Sequence, residues 1–89
     1  MIHKKSRRQD WEKASSAERM DYATRKCAAC AQKGLGTAIP ALVVEGITEF
    51  FTAPLCRNKS VDVVYGIVFG AITQLGHYRR LLDKYRMGP

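Results

Sequence analysis

Acidic residues are scarce in this chain: eight, against fifteen lysines and arginines, for a formal net charge of +7 over 89 residues. An excess of that size on a short chain suits a nucleic acid, an anionic membrane surface or an acidic protein partner, or simply a solvated basic surface. Cysteine is sparse and odd in number. Cys27, Cys30 and Cys56 cannot make a complete disulfide framework. No apolar run precedes Leu35, so no secretory signal is expected, and MIHKKSRR, although free of acids, is too short and too polar for a mitochondrial presequence. No internal repeat, low-complexity tract or credible strand pair is present. A P-loop, a dinucleotide fingerprint, an H-E-x-x-H motif and a Ser-His-Asp order are also missing. No catalytic, cofactor-binding or metal-binding residue is therefore expected, and the length allows one domain with a limited core.

Helical signals fill the chain. Residues 1–9 are expected to be a basic flexible tail and 10–33 an amphipathic helix, in which Asp10 can cap a first turn and Ser15 with Glu18 forms an S-x-x-E capping box. Gly34 suits the C-terminal cap. Residues 34–89 are expected to form a helical hairpin with a basic C-terminal extension. Thr37 can cap its first helix, Pro40 falls in the first turn, and Pro54 ends it. Val61, Val64, Val68, Ala71, Leu75, Tyr78, Leu82 and Tyr85 recur at steps of three and four, which predicts one helix from Ser60 to Arg86. The predicted fold class is thus all-α, an amino-terminal amphipathic helix followed by an antiparallel hairpin.

That hairpin is expected to span a membrane. Residues 35–55 and 61–78 would extend for about 31 and 27 Å at roughly 1.5 Å per residue, close to a hydrocarbon thickness of ~30 Å. Gly66 and Gly70 form G-x-x-x-G in the most apolar stretch, with Gly46 on the facing helix, so these three are the expected helix-packing residues. Glu45 and Glu49 oppose insertion, at roughly 2.5–3.5 kcal/mol each near a bilayer centre. They are singled out as intramembrane carboxylates of open role, with no basic residue of the facing helix level with them. The bland reading is a polar stripe facing water or another subunit.

The segments CAACAQKGLG, FFT, KSVDVVYG and LGHYRRLLDKYR, taken together, resemble the small two-span inner-membrane assembly factors that chaperone subunit two of mitochondrial cytochrome c oxidase. Cys30, Gly34, Gly36, Phe50, Ser60, Asp62, Gly66, His77, Tyr78 and Arg79 fall at spacings similar to that family's, over roughly the 27–86 stretch. The resemblance implies a non-catalytic assembly factor or accessory subunit of a respiratory complex in the mitochondrial inner membrane. Its partners would be subunits of a membrane protein complex and the lipid bilayer. Glu45 and Glu49 depart from the family pattern.

Two further constellations carry alternatives. Cys27 and Cys30 share a helical face and could bind Cu(I) or form a redox pair, against the plainer reading that they pack as small hydrophobes. His77, Tyr78, Arg79, Arg80, Lys84 and Arg86 mix cations with aromatics and are the expected headgroup or partner contacts. In the alternative function, a soluble basic three-helix module turns this segment and KKSRR onto a nucleic acid or an acidic protein.

Overall fold

The computed structural model describes residues 2–3, 5–74 and 77–87. Among these are five α-helices, α1 (Arg8–Lys13), α2 (Ser16–Gln32), α3 (Pro40–Phe50), α4 (Val61–Thr73) and α5 (Tyr78–Met87), with a 3-10 turn at Pro54–Cys56 and no strand. The chain is all-α.

Local chemistry explains most of the boundaries. The Ser15 hydroxyl accepts from the Glu18 N–H at 3.1 Å and the Glu18 carboxylate accepts from the Ser15 N–H at 2.9 Å, a reciprocal box that starts α2. At its other end Gly34 adopts φ +73°, and Leu35 N–H bonds Cys30 O while Gly34 N–H bonds Ala31 O. That is a Schellman closure, which needs a left-handed residue. Ser60 caps α4 by accepting from the Val63 N–H. Pro40 opens α3 with Ile39 as its cap, so Thr37 does not cap that helix.

Three expected elements are revised. The 10–33 helix is two helices, α1 and α2, broken at Ala14 and Ser15 in extended conformation. The expected tail is not loose throughout, because Ile2 and Ser6 are buried and Ser6 O accepts from the Val61 N–H at 2.7 Å. The predicted 60–86 helix stops at Thr73, and the extended Gln74 (φ −105°, ψ 106°) leads away from it. Thr73 bonds its hydroxyl back to Phe69 O, a habit that weakens a helix end. Leu75, placed by periodicity on the helix face, lies outside the described residues.

The break changes the architecture. A continuous 27-residue helix would be about 40 Å long, whereas the longest extent of the molecule is 34 Å. The Cα radius of gyration is 12.2 Å, near the value of about 12 Å for a globular chain of this length. α3 and α4 do pack against each other as the hairpin reading required, and α2 packs against α3 as well. Yet they contain 11 and 13 residues, well short of the ~20 a transmembrane helix needs. Among the described residues no helix is long and apolar enough to cross a membrane. The spanning lengths counted from apolar content included the non-helical stretches on either side of α3 and the break after α4.

One core joins all five helices. Trp11, Val43, Ile47, Phe50, Val61, Val64, Val68 and Leu82 are fully buried within it. Trp11 donates its indole N–H to Thr48 Oγ1 at 3.0 Å, seating α1 on α3. Tyr22 donates to Asp62 at 2.8 Å and Lys26 pairs with the same carboxylate at 2.7 Å, fastening α2 to the start of α4.

Candidate functional site

α5 explains its own position. Tyr78, Leu81, Leu82 and Tyr85 recur on one face and turn inward, while Arg79, Arg80, Asp83 and Lys84 stay exposed. Phe50 receives the inward rings edge-on, Tyr78 at 5.4 Å and Tyr85 at 6.1 Å between centroids. The Tyr78 hydroxyl donates to Glu49 Oε1 at 2.5 Å, and Arg86 Nη2 lies 3.5 Å from Glu49 Oε2. Glu49 therefore has a cation and a phenol beside it, contrary to the expectation that no basic residue would be level with it. The physical reason is the break at Gln74, which lets α5 turn so that its inner face meets the C-terminal end of α3.

This arrangement divides the predicted contact residues. Tyr78 and Arg86 belong to the anchor on Glu49 and are not free contacts. Burial, and then the bond to Glu49 and its negative charge, push the Tyr78 phenol above the ordinary tyrosine range. His77, Arg79, Arg80 and Lys84 are exposed, and among the described residues none of the four is in an ion pair. Glu45, exposed one turn before Glu49, lines with it a groove of about 350 Å³ whose walls include Leu42, Ile72 and Tyr78.

The three glycines separate in the same way. A Cβ on Gly46 would stand 2.5 Å from Val68 Cγ1 and 3.5 Å from the Tyr78 ring, so α3 meets α4 and α5 closely there. At Gly66 and Gly70 a Cβ would meet nothing within 4 Å. The expected close contact at those two is therefore not made inside this chain. They lie open on the outer side of α4.

No family model, curated protein or solved structure matches the chain.

All three cysteines are free, and Cys27 and Cys30 both border the Tyr65 hydroxyl. Cys27 and Cys56 are buried, and burial pushes both thiols up, against the opposing bond from Tyr65 at Cys27 and the Lys59 charge at Cys56. A protonated thiol is a poor nucleophile and a poor metal ligand. Cys30 Sγ sits 3.3 Å from the Tyr65 hydroxyl. Among the described residues no three His, Cys, Asp or Glu side chains are grouped to hold a metal ion.

Two features escaped the sequence reading. Arg7, Arg8 and Arg57 line a polar cleft of about 380 Å³, in which Arg7 donates to Asn58 O. The basic stretches KKSRR and CRNKS signalled it, but nothing in the sequence said they would meet. The second is apolar: Leu35 and Ile39 are each 62% exposed, and Leu42, 46% exposed, lines the groove that holds Glu45. Val63, on the outer side of α4, is 50% exposed.

Proposed function

We propose that this protein works without catalysis, by holding a protein partner on the face formed by α4 and α5. The observation that supports this reading is the outer side of α4, where Val63, Gly66 and Gly70 stay uncovered beside the unpaired cations of α5. A solvated helix face gains nothing from an exposed valine followed by two glycines, whereas an interface buries them and uses the charges at its rim. Several residues with chemistry in them are otherwise occupied: Glu49 anchors α5, and Tyr22, Tyr65 and Tyr78 hydrogen-bond within the chain.

The role is that of an assembly factor or accessory subunit, and the resemblance to the oxidase assembly factors suggests a respiratory complex of the mitochondrial inner membrane. It is carried forward without the two-span hairpin, because α3 and α4 are too short for it. The test is native electrophoresis of the tagged full chain from gently solubilised mitochondria, with identification of what migrates alongside. Migration within a protein complex is expected. Migration as a free chain of 10.0 kDa would refute the reading.

A nucleic-acid reading has one specific observation in its favour, the Arg7, Arg8 and Arg57 cleft. It predicts retention on single-stranded RNA that falls steeply with salt, as counterions are released. Arg7→Ala with Arg57→Ala would then abolish retention, which the holding reading does not require.

A further inference from the structure

The groove between α4 and α5 measures about 400 Å³ and is distinct in character from the one beside Glu45. Gly66, Ile67 and Gly70 line one side of it, and the cations Arg80 and Lys84 line the other together with His77. Among the described residues no carboxylate lines it. The two glycines lie one helical turn apart on α4, and Arg80 and Lys84 lie one turn apart on α5.

Folding of this chain does not call for glycine at either position. Each lies within a helix, where glycine is less favourable than alanine, and open space stands in front of each. What their missing side chains provide is an exposed stretch of helix backbone that another helix can approach closely.

We propose that this groove seats an acidic helix of a partner protein, small residues against Gly66 and Gly70 and carboxylates one turn apart against Arg80 and Lys84. The proposal rests on the holding function above and names the chemistry of what is held. Charge decides among the occupants. A second copy of the chain carries another +7 and would bring its own cations to a groove already lined by Arg80 and Lys84. A nucleic-acid strand gains little from a side of glycine and isoleucine, since a phosphate against apolar atoms is desolvated without a partner.

The probe is a synthetic amphipathic helix of about five turns, with alanine along one face and glutamates spaced i, i+4 on its flank. A twin carries lysine in place of each glutamate. Titration of the isotope-labelled full chain is followed by NMR. The glutamate peptide is expected to shift the amide signals of Gly66, Gly70, Arg80 and Lys84, and the lysine twin to leave them in place. Arg80→Glu with Lys84→Glu should exchange the two preferences. Gly66→Leu with Gly70→Leu should weaken binding at least ~10-fold, about 1.4 kcal/mol, while the far-UV spectrum stays that of the parent, because both side chains enter open space.

Equal response to the two peptides, shifts confined to Arg7, Arg8 and Arg57, or undiminished binding by the leucine variant would each overturn the proposal. So would sedimentation as a dimer through this face, or binding of anionic phosphatidylserine vesicles that the leucine variant retains while the peptide is ignored. Native electrophoresis separates the two levels of the argument. If the parent migrates in a complex and the leucine variant does so equally, the groove is wrong and the holding function stands. If the parent runs free, the holding function falls and the groove proposal with it.

Discussion

The same substitution, glycine to alanine, is expected to have opposite signs at two neighbouring helices. At Gly66, adding a Cβ meets nothing within 4 Å, so only the backbone term operates and the helix gains about 1 kcal/mol. At Gly46 the same gain is opposed by the 2.5 Å approach to Val68 Cγ1, well inside ordinary contact, which begins near 3.4 Å. Val68 is fully buried and β-branched, so it has neither space nor a second good rotamer to retreat into. Overpacking of this kind costs about 1–3 kcal/mol, and with this geometry the upper half of that range applies. Gly46→Ala should therefore destabilise by about 1–2 kcal/mol after the propensity gain is subtracted. In a domain of this size each kcal/mol moves Tm by roughly 4–8 °C. Urea and thermal unfolding followed by far-UV circular dichroism would place Gly66→Ala above the parent and Gly46→Ala below it. A Gly46→Ala protein as stable as the parent would show that α3, α4 and α5 do not meet at that backbone, and the packing described here would be wrong.

Three other outcomes follow from the same structure. Glu49→Gln removes the charge that Arg86 and Tyr78 share. With both ion-pair side chains about 40% exposed (39% and 41%), the pair itself contributes little, so a loss of about 1–2 kcal/mol, mainly from the charge-assisted bond to Tyr78, is expected. Hydrogen exchange should quicken in α5 before any other helix, and uniform exchange across the protein would contradict the anchor. Tyr22, Tyr65 and Tyr78 all have phenols raised by burial and then by hydrogen bonds. A raised folded value means that stability is intact below about pH 10 and is lost above it, as the unfolded chain's phenols ionise first. Unfolding at stepped alkaline pH should show that decline, and the triple Tyr→Phe variant should flatten it. Finally, Cys27 and Cys56 should react with an aromatic disulfide reagent far more slowly in the native protein than in urea, and equal rates would show that neither thiol is buried.

The sequence displayed what is local. The Ser15–Glu18 box, the Ser60 cap and the Gly34 closure are each written in four or five adjacent residues, and the structure contains all three. The break after Thr73 was invisible to periodicity for a specific reason. The positions Val68, Ala71, Tyr78, Leu82 and Tyr85 keep one phase across it, so two helices in register read as one. A helix read through that break is long enough to suggest a membrane span, and it leaves Glu49 without Tyr78 and Arg86, which reach it from beyond Gln74. Gly46 and the Gly66–Gly70 pair look alike in sequence, since a glycine facing Val68 and a glycine facing solvent differ only in what lies opposite.

The polar side of α3 fastens both sequence-distant flanks of the molecule. Thr48 takes the indole of Trp11, 37 residues earlier, and Glu49 takes the phenol of Tyr78, 29 residues later. During synthesis α3 leaves the ribosome well ahead of α5, and until Tyr78 and Tyr85 follow, the Phe50 ring lacks its covering rings. A nascent chain that ends near Gln74 thus carries a bare aromatic edge and a lone carboxylate side by side, a surface on which chaperones or premature neighbours can settle. Completion of the fold is tied to emergence of the last helix, so arrest or cleavage in the turn before α5 leaves an adhesive intermediate instead of a smaller stable domain.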